Sequence, residues 1–287
     1  MGERATLAWV LAALLGASLE PILVKLGYRA EATPWQLLAL KNLVAAAVIV
    51  PLARAPKWPG LPGVLRIGRV SVLLIFTNAL SLLALTRLPA VTLMTVVATT
   101  PAAVALVARA RGRVRPGARF WAALVAALVG MALTLDVVRP GALAFDAVGL
   151  ALAFGAVASS TLYRSAMEDI TATFGPKVVS TWVFLVNAAV TSALVLPWSG
   201  LPPRAALPMG LWIGLAAAVA NVAFLVALHR IGATRISVYT LLQRPFVMVA
   251  AAVVLSEPLR WSQALGVAMV LASVHVAQRA GREEKKP

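Results

Sequence analysis

Long apolar runs, separated by short polar gaps, recur from one end of the chain to the other. A transmembrane helix needs about 20 predominantly apolar residues to cross about 30 Å of hydrocarbon, and ten of the runs come near this length. The gaps contain proline and glycine, which end helices. We therefore predict ten transmembrane helices, at residues 5–28, 35–54, 69–86, 90–110, 118–135, 145–165, 175–197, 207–229, 235–256 and 261–278.

The composition is that of a membrane protein. Hydrophobic residues make up 61% and charged residues 13% of the 287 residues, and the mean hydropathy is +0.89. Soluble domains are nearer half apolar and a quarter charged. No gap is long enough for a soluble domain, so the predicted fold class is an all-α polytopic membrane protein whose surroundings are the lipid bilayer.

The positive charge lies almost entirely in the gaps. The net charge of +16 would indicate nucleic-acid binding in a soluble protein, but the chain has no basic-aromatic stripe, and we predict no nucleic-acid partner. If the N-terminus is inside, the cytoplasmic segments contain 18 Lys and Arg residues, including Arg164 and Lys177. The segments on the opposite side contain 6. Cytoplasmic loops carry the excess of Lys and Arg. We therefore expect a multi-pass protein of the plasma (inner) membrane with both termini in the cytoplasm.

The first apolar run resembles a signal peptide, because small residues at 16–18 could form a cleavage site. Glu20 and Lys25 follow within the same segment, which continues to Tyr28. We therefore predict that residues 5–28 remain as the first membrane helix. At the other end, the charged residues 281–287 are predicted to be disordered.

Catalytic and metal-binding motifs are sparse in this sequence. There is no cysteine, and the two histidines are His229 and His275, so a metal site or other cofactor is not expected. We find no Walker loop, no paired carboxylates and no nucleophile–base pair. These observations argue against an enzyme and against ATP-driven transport.

The chain contains an internal repeat. Residues 78–90 (NALSLLALTRLPA) align with residues 221–233 (NVAFLVALHRIGA), and the identical pairs include Asn78 with Asn221. Each half holds five predicted helices, so the second half is inverted across the membrane. We predict repeats at residues 1–141 and 142–280. Inverted repeats with a site between them are typical of secondary transporters. We expect the protein to be a monomer.

The repeated segments resemble a known family. ALTRLPAVTL at 84–93 with Pro101, and ALHRIGATRI at 227–236 with Pro245 and LSEP at 255–258, resemble the signature of EamA-type members of the drug/metabolite transporter superfamily. The resemblance implies two inverted five-helix halves around a central cavity, exporting or exchanging small metabolites. The family's usual basic residue in the second helix corresponds to Lys41. An arginine run at 109–115 replaces the acidic residue that ends the first-half signature.

Three ionisable residues are predicted within the bilayer: Glu20, Lys41 and Arg244. Each costs at least about 2.5–3.5 kcal/mol at that depth and usually faces a partner or a cavity. Glu20 and Lys41 fall at the same predicted depth, so they either form a structural ion pair or line the substrate cavity. Arg244 either binds an anionic group of the substrate or satisfies carbonyls freed by Pro245.

Further polar and aromatic residues complete the candidate site. The asparagines of the helices, Asn187 among them, either line the cavity or bond between helices. Prolines kink membrane helices and can mark moving elements. Besides the three charges, the substrate-binding candidates are Asn42, Asn78, Tyr163, Trp182, Asn221, Tyr239 and Gln243, and the gating candidates are Pro21, Pro101 and Pro245.

The function that these observations favour is a secondary active transporter, an exporter or exchanger of amino acids or similar small metabolites. It would work by alternating access, driven by a gradient of substrate or of protons, on a substrate that carries an anionic group. One alternative is a flippase of lipids or lipid-linked intermediates. The other is an integral membrane enzyme, which should gather several polar catalytic residues near one face.

Overall fold

Helices form nearly all of the described part of the chain in a computed structural model, which describes residues 3–52, 57–88, 93, 96–113, 117–134, 146–243 and 261–283. No strand occurs among these residues. The fold is therefore all-α, as predicted. The helices are α1 (Glu3–Arg29), α2 (Pro34–Leu52), α3 (Gly60–Leu85), α4 (Thr100–Ala110), α5 (Ala118–Thr134), α6 (Ala147–Phe174), α7 (Pro176–Ser199), α8 (Leu207–Tyr239) and α9 (Trp261–Glu283).

Among the described residues, five helical segments are long and apolar enough to cross a membrane: Pro34–Pro51, Gly60–Ala84, Ala147–Phe174, Pro176–Ser199 and Arg204–Leu242. Shorter apolar segments lie in α1, α4, α5 and α9. The protein is thus a helical multi-pass membrane protein. The count of ten spans stays a prediction, because most of the predicted helix 235–256 lies outside the described residues.

Two helices are longer than the sequence predicted. α3 begins at Gly60 rather than at residue 69, and Pro62 falls in its first turn, where a missing N–H breaks no helical hydrogen bond. α6 continues to Phe174 rather than ending at 165. It ends there because Gly175, with φ 78°, adopts a left-handed conformation and Pro176 starts the next helix.

The longer α6 places Arg164 within a helix rather than in a loop. Arg164 lies ten residues before the end of α6, which corresponds to about 15 Å along the helix. Its assignment to the cytoplasmic side stays a prediction.

α8 is broken at Gly232, which has φ 78° and ψ 166°. Residues with a side chain rarely adopt a positive φ, whereas glycine does so readily. The sequence predicted one helix to end at 229 and the next to start at 235. The break therefore lies at the predicted boundary, although no loop separates the two segments.

The chain packs into two compact units. Unit 1 comprises Met1–Ala79 and Ala166–Gly232, and unit 2 comprises Leu80–Ser165 and Ala233–Pro287. Each unit therefore takes helices from both predicted sequence repeats. The chain passes between the units within α3, within α6 and at the break in α8. The repeat boundaries at 141 and 142 stay a prediction.

Small residues allow close helix packing in unit 1. Gly210 and Gly214 of α8 face Leu40 and Val44 of α2, and a Cβ on Gly214 would lie 3.0 Å from the Lys41 carbonyl oxygen. Glycines four residues apart on one helix face are a common device of membrane helix pairs. On another side, α2 packs against α7 through a cluster that contains Ala45, Ala46, Ile49, Phe184, Ala188, Ala217 and Ala218.

Unit 2 is built around the pair of α5 and α9. A Cβ on Gly130 of α5 would lie 2.8 Å from the carbonyl oxygen of Gly266 in α9. The surrounding buried side chains are apolar and include Phe120, Leu124, Ala127, Met131, Leu241 and Val270. Close backbone approach at a glycine thus organises both units.

Candidate substrate site

An ion pair between α1 and α2 is the most polar feature of the described membrane helices in unit 1. Lys41 Nζ donates a hydrogen bond to Glu20 Oε1 at 2.5 Å. The Lys41 side chain is 10% exposed and that of Glu20 is 30% exposed, so the pair is not sealed from its surroundings. The ion pair, which was one of the two alternatives left open for Glu20 and Lys41, is therefore present. Its role in substrate binding stays a prediction.

Glycine contacts with α8 bring the two charges together. A Cβ on Gly16, one turn before Glu20, would lie 2.8 Å from the Ala216 carbonyl oxygen of α8. The Lys41 carbonyl oxygen touches α8 at Gly214, two residues earlier on the same helix. α1 and α2 therefore both pack against one segment of α8, and this packing places Glu20 and Lys41 side by side.

Asn42 turns to a different neighbour from the adjacent Lys41. Asn42 Nδ2 lies 3.5 Å from Thr191 Oγ1 of α7, a long donor contact. Thr191 Oγ1 in turn donates to the Asn187 carbonyl oxygen at 2.6 Å. Asn42 and Thr191 are 1% and 2% exposed, so this contact lies inside the helix packing. α2 thus presents a charge to α1 and an amide to α7 at successive positions.

Asn187 has an unsatisfied side chain. It is fully buried, and neither Oδ1 nor Nδ2 has a hydrogen-bond partner. The Ser192 hydroxyl and the Trp182 indole N–H are also buried without one. Most buried polar side chains are hydrogen-bonded, and each unsatisfied group costs stability. α7 therefore carries hydrogen-bonding capacity that the described packing of unit 1 does not use.

Other predicted residues of unit 1 have structural partners. Asn221 Oδ1 accepts a hydrogen bond from Ser180 Oγ at 3.4 Å. The Trp182 ring meets Trp58 edge-on, with ring centroids 5.0 Å apart. Asn78 is half-buried near the end of α3. Unit 1 thus contains Glu20, Lys41, Asn42, Asn78, Trp182 and Asn221, and among these the structure joins Glu20 directly to Lys41.

Unit 2 contains the remaining described candidates: Tyr163, which is buried, and Tyr239 and Gln243, which are half-buried. Next to Tyr163, Arg164 Nε and Nη1 donate to Ser160 Oγ and Ser237 Oγ, each at 3.3 Å. The sequence analysis missed Arg164 because it ended the helix at 165. Ser160 and Arg164, four residues apart in an apolar run, were the available signal.

The predicted gating prolines differ in their settings. Pro101 lies in the first turn of α4 rather than inside a helix, a position where proline costs little. A turn at 98–99 separates it from the helical residues 96–97, and the gating role of Pro101 stays a prediction. α1 runs through Pro21 as helix. Arg244 and Pro245 lie outside the described residues.

Comparison of the sequence with known protein families gives a match over most of the chain. The EamA-like transporter family matches residues 4–136 and 147–277, which is most of the chain in two successive copies. The chain belongs to the EamA-like transporter family. The predicted resemblance is thereby confirmed, and so is the two-repeat architecture. A search of curated proteins finds no match.

A solved crystal structure of a protein supports the fold of this EamA-like chain. It covers 98% of the chain and 100% of its own length, with a TM-score of 0.79 and 18% sequence identity. At that identity the likeness shows the fold alone. Family membership makes the protein a membrane transporter by class, and the geometry around Glu20 and Lys41 is its best-defined candidate site.

Proposed function

We propose that this protein is a secondary active transporter that exports or exchanges amino acids or similar small metabolites. It works by alternating access through a central cavity, and a gradient of substrate or of protons drives it. The observation that supports this proposal is the partly exposed Glu20–Lys41 ion pair inside two apolar helices. A pair with only a structural role gains nothing from exposure, whereas a substrate must reach the charges that bind it.

The substrate is proposed to exchange partners with the ion pair. A carboxylate on the substrate takes the place of Glu20 beside Lys41 and accepts a charge-assisted hydrogen bond. The ammonium group of an amino acid supplies the new partner for Glu20. Every buried charge then keeps an opposite charge nearby, so the exchange avoids the several kcal/mol that an uncompensated ion costs in a low-dielectric site. A zwitterionic amino acid fits this requirement better than a simple anion.

The protein is proposed to lie in the plasma (inner) membrane. Both of its termini are proposed to face the cytoplasm. The excess of Lys and Arg on that side is the support. A reporter that is active only outside the cytoplasm, fused after Pro287, is expected to stay silent. A signal from that fusion would overturn the orientation.

The test of the transport proposal begins with a comparison of metabolites in cells with and without the protein. The metabolite that changes is then used in liposomes that contain purified protein. Lys41→Met is expected to reduce transport by about tenfold or more, because a hydrogen bond to a charged group contributes about 1.5–3 kcal/mol. Lys177→Gln, which removes an exposed lysine at the start of α7, is the matched control and should transport normally.

Folding must be separated from binding in this experiment. The double variant Glu20→Leu/Lys41→Met removes both charges and should remain folded while transport is lost. Equal transport by the wild type and Lys41→Met at matched protein amounts would exclude a role for the pair. Arg244→Gln is expected to weaken substrate binding in a folded protein, and unchanged transport would exclude Arg244 from the site.

A further inference from the structure

Four exposed arginines cluster where α4 ends and α5 begins. Arg109, Arg111, Arg113 and Arg119, called the arginine surface below, fall within eleven residues of sequence, and each side chain is exposed. Arg109 lies in the last turn of α4, and Arg119 lies in the first turn of α5. The arginine surface belongs entirely to unit 2 and has no part in the proposed exchange at Glu20 and Lys41.

The positions of these arginines place them at the edge of the bilayer. The apolar segments Thr100–Ala110 and Ala118–Leu133 approach them from both sides. Phe120 and Trp121, whose rings meet edge-on at 5.8 Å, follow Arg119 directly. Tryptophan is enriched at the level of the lipid headgroups. We therefore expect the guanidinium groups to lie within about one helical turn of the hydrocarbon boundary, near the lipid phosphates.

The local charge is not offset along the sequence. No acidic residue occurs between Glu31 and Asp136, so the arginine surface lies in the middle of a long segment whose charges are all positive. Arg111 Nη1 lies 3.5 Å from the Ser165 carbonyl oxygen, a contact that holds the turn against α6. Basic residues at a membrane surface attract anionic lipids, each increasing binding by about fivefold.

The start of α5 favours an anion for a second reason, which does not depend on the number of arginines. Its first turn contains no acidic residue and carries Arg119 instead. The N-terminal end of a helix has a partial positive charge, which favours an anion beside it. A phosphate near this end would interact favourably with both the helix dipole and the guanidinium group, which binds phosphate through two hydrogen bonds.

We propose that the arginine surface binds the phosphate headgroup of an anionic phospholipid in the leaflet at which α4 ends. The same charges would also direct membrane insertion, but insertion requires no bound lipid afterwards. Headgroups are the anions that membrane geometry places beside Arg109 and Arg119. The proposal therefore names the lipid surface, rather than a soluble protein, as the partner.

The experiment uses the purified full-length protein in detergent, with phosphatidylglycerol and phosphatidylcholine as probes. Native mass spectrometry counts the lipids retained, and thermal unfolding measures stabilisation at each lipid concentration. Phosphatidylglycerol should be retained in preference to phosphatidylcholine. Arg111→Gln/Arg113→Gln should weaken phosphatidylglycerol binding by about thirtyfold, about fivefold for each charge lost. The matched control Lys177→Gln/Arg204→Gln removes two exposed charges elsewhere and should bind normally.

A charge-preserving variant guards against misfolding. Arg111→Lys/Arg113→Lys keeps both charges and should retain most of the binding. If it binds as weakly as the Gln variant, the loss does not come from charge and the proposal fails. Equal retention of the two lipids by the wild type would also overturn it. So would displacement of phosphatidylglycerol by an equal concentration of an acidic phosphopeptide, because that result would indicate a protein partner.

Discussion

Two helix contacts in this transporter use the same packing device but differ in what they bury. In unit 1, α2 contacts α1 and α7 along a polar seam that we define as Glu20, Lys41, Asn42, Asn187 and Thr191. In unit 2, α5 contacts α9 along an apolar seam, defined as Leu124, Ala127, Met131 and Val270 around Gly130. A glycine packs closely in each unit, Gly214 of α8 against α2 beside Lys41 and Gly130 against α9. Unit 2 therefore uses the packing device without the polar groups that accompany it in unit 1.

The largest expected effect is the removal of one charge from the polar seam. Glu20→Leu leaves Lys41 buried without its carboxylate and should lower the free energy of unfolding by about 3–5 kcal/mol. Glu20→Leu/Lys41→Leu should recover most of that loss, because no isolated charge remains. Denaturant unfolding in detergent micelles measures both variants. Additive losses in the double variant would show that the two side chains are not energetically coupled.

The next effect should be equal in the two seams. Gly214→Val and Gly130→Val each place a side chain against a backbone oxygen, of Lys41 at 3.0 Å and of Gly266 at 2.8 Å. Overpacking of this kind typically costs about 1–3 kcal/mol. Gly68→Ala is the matched control, because its Cβ would meet Val186 in ordinary contact at 3.7 Å. If thermal unfolding shows that either Val variant is as stable as the wild type, close packing at a glycine matters in only one of the two units.

A smaller effect, of opposite sign, is expected at Asn187. Asn187→Leu replaces a buried amide that has no hydrogen-bond partner, and relief of this desolvation cost should raise stability by about 1 kcal/mol. Asn42→Leu, by contrast, gives up the contact with Thr191 and should lower stability by about 1 kcal/mol. Both are read from unfolding midpoints at matched detergent concentration. A loss of stability in Asn187→Leu would mean that the amide has a partner in the membrane.

The smallest effect should come from an exposed pair outside both seams. Arg87 Nη1 and Asp146 Oδ2 are 3.8 Å apart, and their side chains are 53% and 40% exposed. Arg87→Gln should cost less than about 1 kcal/mol, and added salt should reduce that cost further, because it screens exposed charges. Asp146→Ala should cost more, because Asp146 Oδ1 also accepts from the Gly149 N–H at the start of α6. Equal losses of stability in the two variants would show that Asp146 does not stabilise the start of α6.

The helices and the ion pair could be predicted because each depends on local pattern. Apolar runs set the helices, and counting along two runs put Glu20 and Lys41 at one depth, where they meet. The contacts of Arg164 with Ser160 and Ser237 could not be predicted, because Ser237 lies 73 residues further along the chain. The two compact units could not be predicted, because contacts between helices distant in sequence leave no local pattern.

The break at Gly232 has a mechanical consequence for α8. An unbroken helix is stiff, because its ladder of hydrogen bonds carries a twist from one end to the other. At Gly232, with φ 78° and ψ 166°, that ladder is interrupted, and a Cβ there would lie 2.7 Å from Glu168 Oε1. We therefore expect residues 207–231 and residues 233–239 to behave as two shorter helical segments, joined through the two backbone dihedrals of Gly232.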